Sequence, residues 1–221
     1  EKARPDRARP AGSRRTICIL PLGKFREGAC PPLESLREFT SIFFSLDVAL
    51  RPREDIESLG FTSRKGPYNG RQYRTGDILS FLRKRIASDT FCIIGVTMED
   101  LYPDDSWNFV FGQALLGGRR GVYSFARLGS EDPKVLHRRS ASVLAHEVGH
   151  MFGIEHCIFF SCLMNGSNGL FESDRQPLFL CPVCLRKLQS AVGFDVLARY
   201  RSLLEWYGKA GFAEEIRWLE R

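Results

Sequence analysis

HEVGHMFGIEH, residues 146–156, decides how the rest of the chain is read. His146 and His150 stand four residues apart, which on an α-helix separates them by about 40° around the axis and about 6 Å along it, so both imidazoles can reach one ion. The surrounding SASVLAHEVGHMF has no proline, offers Val143, Leu144, Val148 and Met151 as a face to bury, and places Ser140 as a candidate N-cap. Gly153 tolerates the positive φ that ends a helix, and the turn it permits would swing His156 back toward the first two histidines. Three neutral nitrogens leave zinc a fourth tetrahedral position for water, the open arrangement of a catalytic site. Zinc lowers the pKa of that water toward 7, and Glu147 is placed to take its proton and later deliver it to a leaving amine. The bare His-Glu-x-x-His spacing recurs by chance, and the glycine and third histidine are what make this occurrence specific. His137 stands outside the pattern and reads as a loop residue.

Working toward the C-terminus, Cys157-x4-Cys162 and Cys181-x2-Cys184 supply four thiols in two pairs. Four thiolates close a tetrahedron with no place for water, so this second site is expected to hold a structural zinc. A redox dithiol at CPVC would leave Cys157 and Cys162 without a role. Because Cys157 directly follows His156, a metal fastened at 157 limits where 156 can wander, and the structural site is expected to preorganise the catalytic one. Met164 precedes Asn165-Gly166, a strong turn signal, so it is expected to stand on a tight turn as an apolar base beneath the histidines. Cys18 and Cys92 fall in strand-like runs and read as small buried hydrophobes, Cys30 as a loop thiol.

Working toward the N-terminus, TICILPLG (16–23) reads as a buried first strand, LESLREFTSIFF as an amphipathic helix, and LDVALRP as a second strand. Residues 51–74, rich in Gly, Arg and Pro, read as an exposed irregular connection. TGDILSFLRKRI predicts a second helix, and FCIIGVT (91–97) a strand covered on both faces. MEDLYPDDSW reads as a loop, WNFVFGQA as a short strand, and GVYSFAR (121–127) as a further strand at an edge. After Cys184, LRKLQSAVGF, DVLARYRSLLEWY and FAEEIRWLE carry helical periodicity to the end.

With 221 residues, 43% hydrophobic and 12% aromatic, the chain suits one folded domain. Its net charge of +6 is concentrated in the first fifteen residues, which hold six basic and two acidic side chains, and from Thr16 onward 26 basic residues face 24 acidic ones. A disordered basic tail over 1–15 is expected, and a nucleic-acid-binding face is not. No run of about eighteen apolar residues predicts a membrane span, and no signal sequence stands at the start as given. An odd cysteine count clustered beside histidines favours metal in a reducing compartment. The expectation is an intracellular monomer, cytoplasmic or nuclear.

HEVGHMFGIEH with Met164 in a later turn resembles the metzincin clan of zinc metallopeptidases. The cysteine after the third histidine, the spacing to Cys162 and Met164, and the closing CPVC resemble the archaemetzincin family, whose vertebrate members DLYPDDSWNFVFGQA, SFAR and CPVCLRKLQ also resemble. The resemblance implies two zinc ions: a catalytic one on His146, His150 and His156 with Glu147 as general base, and a structural one on Cys157, Cys162, Cys181 and Cys184. Met164 would be the Met-turn residue. With no tyrosine two residues after Met164, the extra tyrosine ligand of some metzincins is not expected. The implied fold is α/β (α+β), a metzincin-like catalytic domain over 16–221. A twisted mixed sheet lies over the active-site helix, to about residue 153, with a smaller helical region over about 154–221. The implied activity is hydrolysis of a peptide or protein substrate by Glu-assisted attack of zinc-bound water. The alternatives are a zinc-stabilised binding or regulatory protein with little turnover, and an amidohydrolase acting on a small non-peptide substrate.

Overall fold

TFCIIGVT is buried at all eight positions, a state a strand reaches only when both its edges are paired and both its faces covered. The computed structural model, which describes residues 9–66 and 70–221, provides both. Along the chain run Thr16–Leu22 (β1), Leu33–Phe44 (α1), Val48–Leu50 (β2), Ser63–Lys65 (β3), Arg71–Arg74 (β4), Thr75–Arg83 (α2), Thr90–Thr97 (β5), Asp100–Tyr102 (β6), Gly112–Ala114 (β7) and Arg120–Ser124 (β8). Then come Pro133–Met151 (α3), Leu170–Asp174 (α4), Pro182–Val192 (α5), Val196–Ala210 (α6) and Ala213–Leu219 (α7). The main sheet has the order β2-β1-β5-β8-β7, parallel throughout except for β7.

Period-2 alternation along β1 sorts the two layers. Ile17 and Ile19 face a large core with Phe39 and Phe43 of α1 and Leu144 and Val148 of α3. Cys18, Leu20 and Leu22 face a smaller one with Ile78, Leu79 and Leu82 of α2. The mixed sheet over the motif-bearing helix is therefore as expected. Below it, α4 to α7 form the helical region, tied upward by Trp206 against Phe39 at 4.7 Å between ring centroids and by Arg199, whose Nε donates to the Phe43 carbonyl at 2.7 Å.

Four expectations are corrected. GVYSFAR is not at an edge: β8 lies between β5 and β7, and the edge strand is β7. Residues 51–74 are not wholly irregular, because a 3₁₀ turn at Ile56–Leu59 precedes β3 and β4, and these strands join β6, from the stretch read as a loop, in a second sheet of order β3-β4-β6. Strands this short depend on their pairing partners, so their own residues carry little signal. The motif-bearing helix begins before Ser140: the Asp132 carboxylate caps α3 by accepting from Lys134 N at 2.8 Å, and Ser140 is buried in mid-helix with its hydroxyl donating to the Leu136 carbonyl. His137 belongs to this helix rather than to a loop. It is partly buried against Trp206 and Phe212, 3.1 Å from the Ser35 hydroxyl, and burial lowers its pKa.

The expected basic tail lies outside the described residues as far as position 8. Among the described residues Ala11 and Arg14 close a turn, and Arg15 N donates to Asp89 O, so hydrogen-bonded structure is already present ahead of Thr16. Among the described residues no helix is long and apolar enough to cross a membrane.

Candidate functional site

The end of α3 is shaped by two glycines. Gly149 faces the turn after Cys162, and a Cβ there would meet Met164 Sδ at 2.6 Å, so its bare backbone is what lets the buried methionine pack under the helix. Gly153, at φ 78°, turns the chain out of the helix, and Gly153 N and Ile154 N close the last turn on the carbonyls of His150 and Gly149. The chain then doubles back through His156, whose ring approaches Gly166 so closely that a Cβ there would stand 3.3 Å from Nδ1. The position two residues after Met164 thus gives room to an imidazole instead of supplying a ligand.

The three histidines converge. The carbonyl oxygens of Leu163 and Ile154 lie 2.9 Å and 2.8 Å from Nδ1 of His146 and His150, so each Nδ1–H has an acceptor and each Nε2 carries a lone pair. His146 Nε2 stands 3.0 Å from His150 Nε2 and 3.2 Å from His156 Nε2. Lone pairs facing at that range repel unless a cation lies among them, which is the donor set zinc takes. Burial, helped by the neighbouring His150 and His156, pushes the His146 pKa down to about 3, and burial and His156 lower that of His150 as well. Both are therefore neutral at neutral pH, the form a metal needs.

Glu147 follows His146 on α3 and lines the same cleft. It is 6% exposed, its Oε2 has no hydrogen-bond partner, and burial raises its pKa to about 8. Gly112 on the edge strand covers it, and a Cβ at 112 would lie 2.7 Å from Glu147 Cγ and Oε1. A cation at the imidazoles would stabilise the ionised carboxylate and draw its pKa back down. Both residues line an open cleft of about 1280 Å³ that runs between residues 103–113 and the turn around Gly166.

The four sulfurs of Cys157, Cys162, Cys181 and Cys184 lie within 4.8 Å of one another. Cys162 Sγ accepts from Cys181 N at 3.2 Å and Met164 N at 3.5 Å, and Cys181 Sγ, at the N-cap of α5, accepts from Cys184 N at 3.4 Å. Backbone N–H groups aimed at sulfur favour thiolate, as metal ligation requires. Burial raises the pKa of Cys162 to about 11 and that of Cys184 further, a cost that a bound cation offsets. At Cys157 the burial effect is outweighed by N–H donors from Phe159 and Phe160, and its pKa is lowered. The remaining thiols, Cys18, Cys30 and Cys92, join no such group among the described residues.

Three residues here take roles that the local sequence does not announce. Gly112 sits in a three-residue strand, Gly149 lies inside the helix, and Asn165 read only as part of a turn. Asn165 braces the segment from Cys157 to Cys162: its amide donates to the carbonyls of Cys157 and Phe160, and its Oδ1 accepts from Cys162 N.

Residues 69–190 match the profile of peptidase family M54, and the chain belongs to that family, the archaemetzincins. It is 40% identical to archaemetzincin-2 of Macaca fascicularis over 91% of this chain, 39% identical to human archaemetzincin-2 over 91%, and 34% identical to mouse archaemetzincin-1 over 88%. The chain spans 66% of the length of those archaemetzincin-2 relatives and 46% of the archaemetzincin-1 relative. Among solved structures it resembles archaemetzincin from Methanopyrus kandleri, with a TM-score of 0.69 and 31% identity over 82% of this chain and 97% of that one. A zinc-dependent peptidase from Methanocorpusculum labreanum gives a TM-score of 0.60 and 25% identity over 78% of this chain and 99% of that one.

Proposed function

We propose that the protein is a zinc-dependent peptidase, with His146, His150 and His156 holding a catalytic zinc, Glu147 as general base, and Cys157, Cys162, Cys181 and Cys184 holding a structural zinc. The observation that carries this reading is the convergence of three imidazoles, with the Nε2 atoms of His150 and His156 within 3.2 Å of His146 Nε2, beside a buried carboxyl on an open cleft. Zinc bound there would supply Lewis acidity, activating water at neutral pH and polarising the scissile carbonyl.

The chain's own residues do the rest. The Leu163 and Ile154 carbonyls hold two imidazoles in one tautomer and orientation. Glu147, roofed by Gly112, takes a proton from the attacking water and returns it to the leaving amine. The free edge of β7 is where an extended peptide can add as a further strand, which brings its backbone past Glu147. Met164 fills the space under α3, and the cysteine cluster secures the segment from which His156 projects.

The purified protein is expected to carry two zinc ions and to cleave peptides from a broad library, with a chelator abolishing cleavage and added zinc restoring it. Two bound zinc ions with no cleavage of any peptide would instead support a binding or regulatory role. Gly112→Ala tests the roof. Because Glu147 is enclosed, the added methyl must displace it, and a displacement of about 1 Å in a catalytic group costs about 100-fold in rate. The variant is therefore expected to hold two zinc ions and lose about 100-fold in kcat, measured on any peptide the native protein cleaves.

A further inference from the structure

The walls of the cleft carry surface that the hydrolytic machinery does not use. Trp107 lines the cleft and is 55% exposed, whereas Trp206 is buried and Trp218 is stacked on Phe179. Beside Trp107 stand Phe109 and Phe111, their rings edge to face at 5.3 Å. On the other wall, two residues beyond His156, Ile158 lines the same cleft, and Ile158 and Phe159 are 80% and 82% exposed. Keeping side chains of this size in water forgoes roughly 1.5–3 kcal/mol each relative to burial. Apolar surface on both walls of one cleft marks a place for a ligand.

Both walls are braced. Arg64 donates to the carbonyls of Trp107 and Asn108, Gln72 also donates to Asn108 O at 2.8 Å, and the Arg127 guanidinium lies 3.8 Å over the Phe109 ring while pairing with Asp100. Opposite, the Asn165 amide bridges the carbonyls of Cys157 and Phe160, pinning both ends of the segment that exposes Ile158 and Phe159. Their exposure is thus imposed by fixed backbone, and binding to such a surface loses little conformational entropy. Charge points the same way. Among the described residues no lysine or arginine lines the cleft, and the Asp104 carboxylate is occupied by its own turn, accepting from Ser106 N.

We infer that these walls select the substrate: a peptide with large apolar side chains on the residues flanking the scissile bond, gripped between Trp107 and Ile158, with the exposed Phe159 next to Ile158 extending that apolar surface. The inference takes the ligand to be a peptide from the hydrolytic reading above.

The test profiles cleavage of a mixed peptide library by the zinc-loaded protein, by Trp107→Ala and by Ile158→Ser/Phe159→Ser. Wild-type cuts are expected at bonds flanked by Phe, Leu, Ile, Met or Tyr. The ratio of kcat/KM for a Phe-Leu peptide over its Ala-Ala counterpart is expected to fall at least about tenfold in each variant, equivalent to about 1.4 kcal/mol. A parallel titration uses Glu147→Gln, so that binding is read without turnover: the Phe-Leu peptide should shift tryptophan emission to the blue and bind at least tenfold tighter than Ala-Ala or Glu-Glu peptides. Absent cleavage with this binding pattern intact would remove the hydrolytic reading and leave the selection surface standing. Cleavage that favours small or charged flanking residues, or selectivity unchanged in both variants, would overturn the selection surface and leave hydrolysis standing. Binding to phosphatidylcholine vesicles lost in Ile158→Ser/Phe159→Ser, with peptide selectivity unchanged, would overturn it in favour of a lipid surface. Neither cleavage nor peptide binding would overturn both.

Discussion

Glu147→Gln is expected to lower kcat for peptide cleavage by about 100- to 10,000-fold, the usual contribution of a positioned general base, while both zinc ions remain bound. Glutamine has the shape of glutamate and fits beneath Gly112, where a Cβ would already touch the side chain at 2.7 Å, so the cleft is not remodelled. The substitution removes only the ability to accept a proton. The neighbouring imidazoles keep their backbone acceptors at Leu163 and Ile154, so the metal-binding geometry has no reason to change. Metal counting by mass spectrometry and single-peptide kinetics on the same preparation check both halves. Cleavage at the native rate in this variant would show that another group moves the proton.

Cys184→Ser is expected to lower metal content, stability and activity together. A serine hydroxyl does not replace a thiolate on zinc, so the zinc count should fall from two to one. The site joins segments far apart in sequence, Cys157 and Cys162 to Cys181 and Cys184, and a structural zinc contributes its binding energy directly to folding. A loss of about 5 kcal/mol would lower Tm by roughly 10–20 °C in a domain of this size. Activity should fall by about 10- to 100-fold even below the new Tm, the usual cost of losing a group that supports a metal ligand. The route is short: Cys157 follows His156, and Cys157 N donates to Met164 O at 2.8 Å, so the segment bearing the third histidine is held by the sulfur site and by the turn under α3. A variant that keeps one zinc and native kinetics would show that the two sites work independently.

Much of this was legible in the sequence because it is local. His146 and His150 share a helix face through a fixed four-residue step, and Gly153 marks the helix end wherever the helix is placed. The cysteine pairs announce themselves by spacing, and TFCIIGVT is apolar enough that only a doubly covered strand suits it. Where the reading failed, pairing and packing decided rather than the pattern of the segment itself. Which strand lies at the edge is a matter of sheet order, and β7 takes it because Gly112–Ala114 pairs antiparallel outside β8. The second sheet exists because Arg71–Arg74 finds both Ser63–Lys65 and Asp100–Tyr102 as neighbours. Each of these strands is too short to show an alternation of its own. His137 looked free because its burial depends on Trp206 and Phe212 from the helices after the sulfur site.

What the sequence by itself determined is therefore which side chains gather here and the helix that carries the first of them: three imidazoles, a carboxyl, four thiols, and the turns that let them face inward. These follow from bond geometry and helical pitch, which act over a few residues. What only the tertiary structure decided is the space around them. Gly112 over Glu147, Gly149 over Met164 and the apolar walls at Trp107 and Ile158 bring together segments that sequence order keeps apart. Close packing, where a single methyl group is the difference between room and collision, is settled only when the whole chain has come together.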